Sequence, residues 1–391
     1  MAKGQYLAPG DQPKLSSTQL MKDVIIVGGG LAGLVNAIQL AKAGLSVLVI
    51  EKKRYPFHRV CGEYISNEVI PFLQSISAYP EALKPVAIHT FQLTSAAGRS
   101  SIMPLDLGGF GVSRYALDHF LFQRAQQAGA DFRLETQVQH ISFQHDRFVV
   151  TLPQNQLVEA RLVIGAYGKR SRLDKQLRRG FMKQRSPYIG VKYHLVTDFP
   201  DDRIALHNFE GGYCGVSRVE DGRYNVCYLG SRASLRRHGS IEAMEERVLW
   251  KNPFLKKIFQ ESTFLLDKPE VINEVSFAPK RPVVEHVLMS GDTAGLITPL
   301  CGNGMALAIH SAKLLSELIV DYYQPSGFDR EGLERAYAQT WRQKFATRLW
   351  VGRHVQQLFG RGRASELGVQ LVKTFPGVAK QLMRRTHGEA F

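Results

Sequence analysis

Three glycines and one glutamate near the start of the chain have the spacing of a dinucleotide site. Gly28-x-Gly30-x-x-Gly33 directly follows a short apolar run, and Glu51 ends a second one. Gly28 allows a tight turn, Gly30 lets the backbone approach a pyrophosphate, and Gly33 permits close helix–strand packing. An acid at the position of Glu51 accepts hydrogen bonds from ribose hydroxyls and disfavours a 2′-phosphate. The pattern therefore predicts binding of NAD or of the ADP half of FAD.

A second glycine-rich segment lies far downstream. Gly291-Asp292 follows an apolar run, and Gly302-x-Gly304-Met305 opens a helical pattern. A carboxylate at a strand end can hold a ribityl or ribose hydroxyl, and backbone amides at a helix start can face a flavin carbonyl that gains negative charge on reduction. A simple NAD dehydrogenase has no need of this second site, so we expect FAD as the cofactor.

These two segments resemble the FAD enzymes of the p-hydroxybenzoate hydroxylase fold. Within the resemblance, Cys61-Gly62-Glu63-Tyr64 is similar to the Cys-Gly-Glu-Gly segment of the geranylgeranyl reductase branch. The resemblance covers residues 23–321 and implies an α/β fold. A Rossmann-like FAD/NAD(P)-binding domain would carry a mainly antiparallel β-sheet substrate domain, and a helical C-terminal tail would follow.

The resemblance also implies where the cofactor lies. Backbone at Ala32 and the side chain of Arg114 would be near the pyrophosphate, Val138 near the adenine, and Asp292 near the ribityl chain. Cys61 is the expected catalytic residue in the reductase alternative, as a thiol close to the flavin. The predicted cofactor residues are Gly28, Gly30, Ala32, Gly33, Glu51, Arg59, Cys61, Gly62, Tyr64, Arg114, Val138, Asp292, Gly302, Gly304 and Met305.

Two segments depart from the family pattern. Tyr167 stands where the hydroxylases usually have an aspartate that helps to bind FAD and the nicotinamide reductant, which argues against direct use of NAD(P)H. The electron donor is expected to be external, either NAD(P)H or another reductant. The Tyr-x-Trp-x-Phe-Pro segment of the reductases is replaced by Gly212–Arg218. The tryptophan motif of flavin halogenases is not present in the sequence either.

Three functions remain open from the sequence. The first hypothesis is an FAD-dependent monooxygenase acting on an aromatic, polyketide or other apolar small molecule, which the altered Gly212–Arg218 segment favours. The second is a geranylgeranyl-reductase-like enzyme that reduces isoprenoid double bonds, which the Cys61 segment favours. The third is a non-enzymatic flavin-binding or electron-carrier protein.

The elements that must position these residues follow from the apolar pattern. The run Val24–Val27 predicts a buried strand, a helix then extends to a stop at Gly44, and residues 45–50 predict a second strand. A right-handed crossover makes these two strands parallel. Further strands are expected near 91–94, 148–152 and 224–228, and further helices over 115–127, 241–249 and 304–323.

We expect a discontinuous FAD-binding domain and a separate sheet domain. The first would comprise residues 21–80, 105–180 and 280–325, and the substrate-binding sheet would comprise 81–104 and 181–279. A flexible N-terminal extension (1–20) would precede them, and a basic helical C-terminal region (326–391) would follow.

Composition limits the class of protein. The 391 residues are 44% hydrophobic and 22% charged, as in ordinary globular proteins, and carry a formal net charge of +15. No nucleic-acid-binding module accompanies this charge, so no nucleic-acid partner is expected. The four cysteines lie far apart, without a metal-ligand spacing, so no metal site is expected. Without a signal peptide or an apolar run long enough to span a bilayer, the expected location is cytoplasmic.

The last part of the chain has its own character. Ten Lys/Arg against two Glu between residues 341 and 391 give this region +8. Trp341, Phe345, Leu349, Val355 and Phe359 recur near helical spacing, as in a basic amphipathic helix. We expect this region to pack on the FAD domain, to fold over the substrate entrance, or to contact an anionic membrane surface peripherally.

Overall fold

A computed structural model describes residues 21–184, 186–273, 275–298, 302–324, 327–358, 362–374, 377 and 388–391. The predicted N-terminal extension, residues 1–20, lies outside the described residues, as does 299–301 in the second glycine-rich segment. The described helices are α1 (Leu31–Lys42), α2 (Ile70–Ser75), α3 (Arg114–Gln127), α4 (Arg172–Gln176), α5 (Arg232–His238), α6 (Ile241–Arg247), α7 (Pro253–Glu261), α8 (Gly304–Tyr322), α9 (Arg330–Leu358) and α10 (Gly362–Thr374).

The described strands form two large sheets and one short hairpin. The first sheet contains β1 (Lys22–Val27), β2 (Val47–Ile50), β6 (Asp131–Arg133), β7 (His140–Gln144), β8 (Arg147–Thr151), β9 (Leu157–Gly165), β16 (Val283–Val284) and β17 (Val287–Met289). The second contains β3 (Tyr64–Ser66), β4 (Val86–Thr94), β5 (Ser100–Gly111), β10 (Tyr188–Val196), β11 (Arg203–Phe209), β12 (Gly212–Arg218), β13 (Tyr224–Ser231), β14 (Thr263–Phe264) and β15 (Glu270–Asn273). The hairpin is β18 (Tyr323–Gln324) with β19 (Gly327–Phe328).

The first sheet confirms the predicted βαβ unit. Its order is β16-β17-β9-β1-β2-β6, and β1 pairs in parallel with both β2 and β9. The apolar side chains of β1 and β2 are buried, as is usual for strands inside a parallel sheet, and α1 packs against both strands. Gly44 follows α1 with φ +85°, a conformation that favours glycine at a helix end.

The second sheet is mainly antiparallel, as expected. Among the described strands its order is β14-β10-β13-β12-β11-β4-β5-β3. β15 pairs with β10 along the same edge as β14, opposite β13, and the pair β4–β11 is parallel. Side chains alternate between its faces. Cys214, Val216 and Tyr228 pack in one core with α6 and α7 residues, whereas Leu206 and Leu229 face the opposite side.

The division of the chain between the sheets differs from the predicted boundaries. Residues 64–66 and 105–111, which we assigned to the FAD domain, are hydrogen-bonded into the second sheet. The reason is that β5 continues through residue 105 as one strand, paired with β4 at its start and with both β4 and β3 at its end. A boundary at 105 would cut this strand.

Part of the predicted C-terminal region, residues 326–391, belongs to the core of the FAD-binding domain. Leu333, Tyr337, Trp341, Phe345 and Leu349 of α9 are buried in the core of the first sheet, beside α8. The apolar spacing predicted for this region is therefore explained, up to Leu349, by packing on the FAD domain. The side chains of Val355 and Phe359 lie outside the described part of the structure. None of the described helices combines the length and apolar character needed to cross a bilayer.

Candidate FAD and substrate site

One cavity of about 1740 Å³ joins the two sheets. Its wall includes the glycine-rich turns of the first sheet, the inner face of the second sheet and α10. A pocket for one small ligand has a volume of about 300–1,000 Å³. This cavity is larger, so it has room for a dinucleotide and a second molecule.

The first glycine turn opens α1 toward this cavity. Gly28 has φ +105°, and a Cβ there would lie 2.5 Å from the carbonyl oxygen of Ala166. Gly30 precedes α1 without a side-chain cap, and a Cβ on it would meet nothing closer than the Arg114 guanidinium at 3.7 Å. The first amides of α1 therefore have no side-chain acceptor and face space lined by Ala32, which fits a pyrophosphate.

Gly33 is a packing residue, unlike the other predicted cofactor residues. It does not line the cavity, and a Cβ there would lie 2.0 Å from the carbonyl oxygen of Gly28. Its role is close packing of α1 on the turn, which is the role that the spacing predicted for the third glycine.

Glu51 ends β2 and is held by three donors. Its Oε2 accepts from the amide of Gly29 at 2.8 Å and from Arg59 at 3.3 Å, and its Oε1 accepts from the amide of Lys53 at 3.1 Å. The carboxylate lines the cavity on the same side as Val138, where the adenosine half is predicted.

An ion-pair chain continues from Glu51 to α3. Asp118, which is 1% exposed, accepts two bonds from Arg114, each 2.7 Å long, and a 3.0 Å bond from the Nε of Arg59. Arg59 then reaches Glu51. Sequence reasoning selected both arginines and missed Asp118, although its i, i+4 spacing from Arg114 on a helix was a usable signal.

The Cys61 segment, Cys61–Tyr64, lies beside the start of α8. The Sγ of Cys61 is 3.2 Å from the Sδ of Met305, and both residues line the cavity with Gly62 and Tyr64. The second sheet contacts this segment: the side-chain amide (Nδ2) of Asn225 donates to the Cys61 carbonyl oxygen at 3.1 Å.

Helix α8 begins at this same point. Gly302 has φ +63°, and Asn303 before the helix makes no side-chain cap bond to its amides. Gly302, Gly304 and Met305 line the cavity, so the uncapped amides are beside the Cys61 segment. This arrangement fits a flavin ring that gains negative charge on reduction.

Asp292 lies in a short turn between these regions and lines the cavity. Its carbonyl oxygen and that of Lys169 accept 2.8 Å bonds from Lys280, a residue that the sequence analysis did not select. Burial lowers the pKa of Lys280 to about 8, although Asp292 acts in the opposite direction. Tyr167 turns its hydroxyl toward Asp174, at 3.4 Å.

Apart from Gly33, every predicted cofactor residue lines this one cavity. They come from the turns that follow β1 and β2, the start of α1, β3 and the loop before it, the start of α3, the loop before β7, the turn after β17, and the start of α8 with the residues before it. The two uncapped helix starts, the open space at Gly30 and the carboxylates at both ends fit FAD in an extended form.

The remaining wall of the cavity is apolar. It lies between the inner face of the second sheet and α10, where Val369 is 2% exposed. The buried residues that pack together there and line the cavity are Leu93, Leu206, Tyr213, Leu229, Leu296 and Val369. The segment Gly212–Arg218, where the family motif is replaced, forms β12 and contributes Tyr213 and Gly215 to this wall.

Comparison with known proteins agrees with this geometry. A family model described as an FAD binding domain matches residues 21–348, which includes the buried part of α9. Digeranylgeranylglycerophospholipid reductase 1 of Methanopyrus kandleri is 26% identical, over 94% of this chain and 97% of that protein. The menaquinone reductase of Mycobacterium tuberculosis is 23% identical, over 90% of this chain and 84% of that protein.

Solved structures share the fold. PqsL, a probable FAD-dependent monooxygenase from Pseudomonas aeruginosa, has a TM-score of 0.71 at 17% identity, covering 90% of this chain and all of that one. A flavin-dependent brominase has a TM-score of 0.74 at 15% identity, covering 94% of this chain and 93% of that one. The chain therefore belongs to the FAD binding domain family and is an FAD-dependent oxidoreductase with the p-hydroxybenzoate hydroxylase fold.

Proposed function

We propose that the enzyme acts on an elongated, mainly apolar molecule that lies between the flavin and α10. The observation that carries this proposal is the continuity of the cavity, which extends from Met305 to the apolar wall at Leu229 and Val369. FAD supplies the redox chemistry when bound, and the predicted residues would hold it. The second sheet would bind the substrate by burial of apolar surface, and would exclude water from the reacting end.

The first proposed reaction is oxygenation. The enzyme would insert one atom of O2 into a C–H bond and release the other as water, using two electrons from an external donor and two protons. The site departs from the reductase pattern inside the substrate cavity itself, where β12 presents Tyr213 and Gly215. Gly215 has no side chain to fill this part of the cavity. A Cβ added there would lie 3.6 Å or more from its nearest neighbours. This favours a broader substrate than a prenyl chain.

The second proposed reaction is reduction of an isoprenoid double bond, which takes up two electrons and two protons. It is supported by the position of Cys61 beside Met305 and by the reductases among the sequence relatives. In this reaction the Cys61 thiol would donate a proton to the substrate carbon.

One experiment separates the two reactions. The FAD-loaded protein would be supplied with electrons by photoreduction and incubated under ¹⁸O2 with an alkylated phenol or with a geranylgeranyl lipid. Oxygenation predicts a phenol product heavier by one ¹⁸O atom, and reduction predicts a lipid product heavier by two hydrogen atoms that also forms without O2. If both compounds are recovered unchanged and only hydrogen peroxide forms, the proposal of an elongated apolar substrate is wrong.

Replacing Cys61 tests its proposed catalytic role. We expect Cys61→Ala to lower the rate of double-bond reduction at least about tenfold, an increase of about 1.4 kcal/mol in the barrier, because a proton donor is lost. FAD affinity should stay within about twofold of the original. The measurements are single-turnover oxidation of the reduced protein by the lipid and titration with FAD.

The matched control is Cys214→Ala, whose buried thiol packs on the opposite face of the second sheet. This control should leave the single-turnover rate unchanged. An undiminished rate in Cys61→Ala would remove Cys61 from the mechanism.

We also propose that α10 contacts an anionic phospholipid bilayer, from which an apolar substrate would enter. Leu367 and Leu371 are 71% and 48% exposed and line the cavity entrance, although Val369 on the same helix is buried. Arg99 holds α10 on the second sheet through Glu366 at 3.4 Å. The net charge of +8 over residues 341–391 complements an anionic surface.

The variant Leu367→Ser/Leu371→Ser should bind less to vesicles of phosphatidylglycerol and phosphatidylcholine. We expect at least about a tenfold loss of affinity, because each exposed leucine contributes about 1.5–3 kcal/mol when buried. Co-sedimentation measures it. Leu265→Ser is the control, since this leucine is 44% exposed but does not line the cavity. Equal losses in both variants, or no loss in either, would exclude docking through α10.

A further inference from the structure

Three charged or ionisable side chains form a buried cluster that the sequence analysis did not select. Glu63 and Lys192 are 0% exposed and His194 is 2% exposed. The Oε1 of Glu63 accepts a 2.5 Å bond from the Nζ of Lys192, and its Oε2 is 2.6 Å from the Nε2 of His194. The cluster therefore connects the loop before β3 with β10 of the second sheet.

The surroundings of the cluster hold it in one geometry. Glu63 has φ +53°, which is unusual for a side chain of this size, and its Oε1 also accepts from the amide of Arg114 at 2.8 Å. Burial would raise the pKa of Glu63, but Lys192 and His194 outweigh it and lower the pKa to about 2. Glu63 is thus ionised and carries a fixed negative charge opposite a fixed positive one.

Through Glu63, the cluster reaches the end of the cavity where the flavin ring is predicted. Glu63 follows Gly62 in the chain and lines the cavity with Cys61 and Met305. Buried ion pairs are frequently no more stabilising than apolar residues of the same size, so stability alone does not account for this one. In a water-poor cavity, in contrast, fixed charges act strongly on any charge that develops nearby.

We propose that the Lys192–Glu63–His194 cluster sets the electrostatic potential at the flavin end of the cavity, and thereby the midpoint potential of bound FAD. Reduction by two electrons with uptake of one proton leaves one negative charge on the ring. Lys192 stabilises that charge, and Glu63 both opposes it and holds Lys192 in place. This inference rests on FAD binding and does not depend on the substrate or on which reaction the enzyme catalyses.

The test is a redox titration of the FAD-loaded protein with dithionite against a reference dye, without substrate. Glu63→Gln keeps the shape and removes the negative charge, so the midpoint potential should rise. Lys192→Met leaves Glu63 without its cation, so the potential should fall. The double variant removes both charges and should lie between the two single variants.

The control is Arg330→Met, which removes a largely buried cation at the start of α9. Arg330 is 8% exposed, pairs with Asp146 at 2.8 Å and does not line the cavity, so the potential should not change. Because Lys192→Met risks misfolding, the double variant is also compared directly with Glu63→Gln: it lacks the Lys192 cation, so its potential should be the lower of the two, and an equal or higher potential would overturn the proposal. An unchanged or lowered potential in Glu63→Gln would overturn the proposal, as would shifts of the same sign in both single variants.

Discussion

A Gly33→Ala variant should bind FAD at least about tenfold more weakly than the original protein, a loss of about 1.4 kcal/mol or more. The added Cβ would lie 2.0 Å from the carbonyl oxygen of Gly28, so α1 must move away from the turn. The uncapped amides of α1 would face the predicted pyrophosphate only while this contact is tight. We also expect the free energy of unfolding to fall by about 1–3 kcal/mol, as for other overpacked sites.

Titration of FAD fluorescence and thermal unfolding measure these two effects. The control is Gly180→Ala, because a Cβ at residue 180 would meet no atom within 4 Å. If Gly33→Ala retained the original FAD affinity, the turn would be able to yield at no cost. The N-terminus of α1 would then not be the pyrophosphate-binding site.

An Asp118→Ala variant should lose much more stability than a variant of a surface ion pair. Asp118 is buried and accepts bonds from both Arg114 and Arg59, so its removal leaves two guanidinium groups without their carboxylate. Breaking a buried pair costs about 3–5 kcal/mol, and we expect about 3 kcal/mol because Arg59 retains contact with solvent and with Glu51. FAD affinity should fall as well, since both arginines line the cavity.

Urea unfolding of the FAD-free protein separates the stability effect from cofactor binding. Asp131→Ala is the matched control, because its pair with Lys22 is on the surface and such pairs contribute about 0–1 kcal/mol. A difference of less than 1 kcal/mol between the two variants would show that the arginines find other acceptors. Asp118 would then have no positioning role.

Local patterns selected residues that the structure brings to one cavity, for a physical reason. The turn at Gly28 and the helix that follows depend on neighbouring residues, so their spacing in the chain carries the necessary information. The pair Lys192–Glu63 joins residues that are 129 positions apart, and no local pattern reports such a contact. Lys192 and His194 in the otherwise mainly apolar strand β10 were the available sign.

The C-terminal helices show the same limit. Apolar spacing predicted a helix around Trp341, but it does not distinguish a face that meets lipid from one that meets the protein core. The structure buries Trp341 and Phe345 against α8. The exposed leucines instead lie on α10, where the sequence pattern is shorter and less regular.

The predicted cofactor residues are spread along the chain from Gly28 to Met305, and this has a consequence for biosynthesis. On the ribosome, the first glycine turn and Glu51 emerge early, but the flavin end of the cavity is incomplete until α8 has been made. The cofactor therefore joins a nearly finished polypeptide and stabilises it by mass action. The cellular supply of FAD, rather than the rate of translation, should then determine how much newly made protein escapes proteolysis.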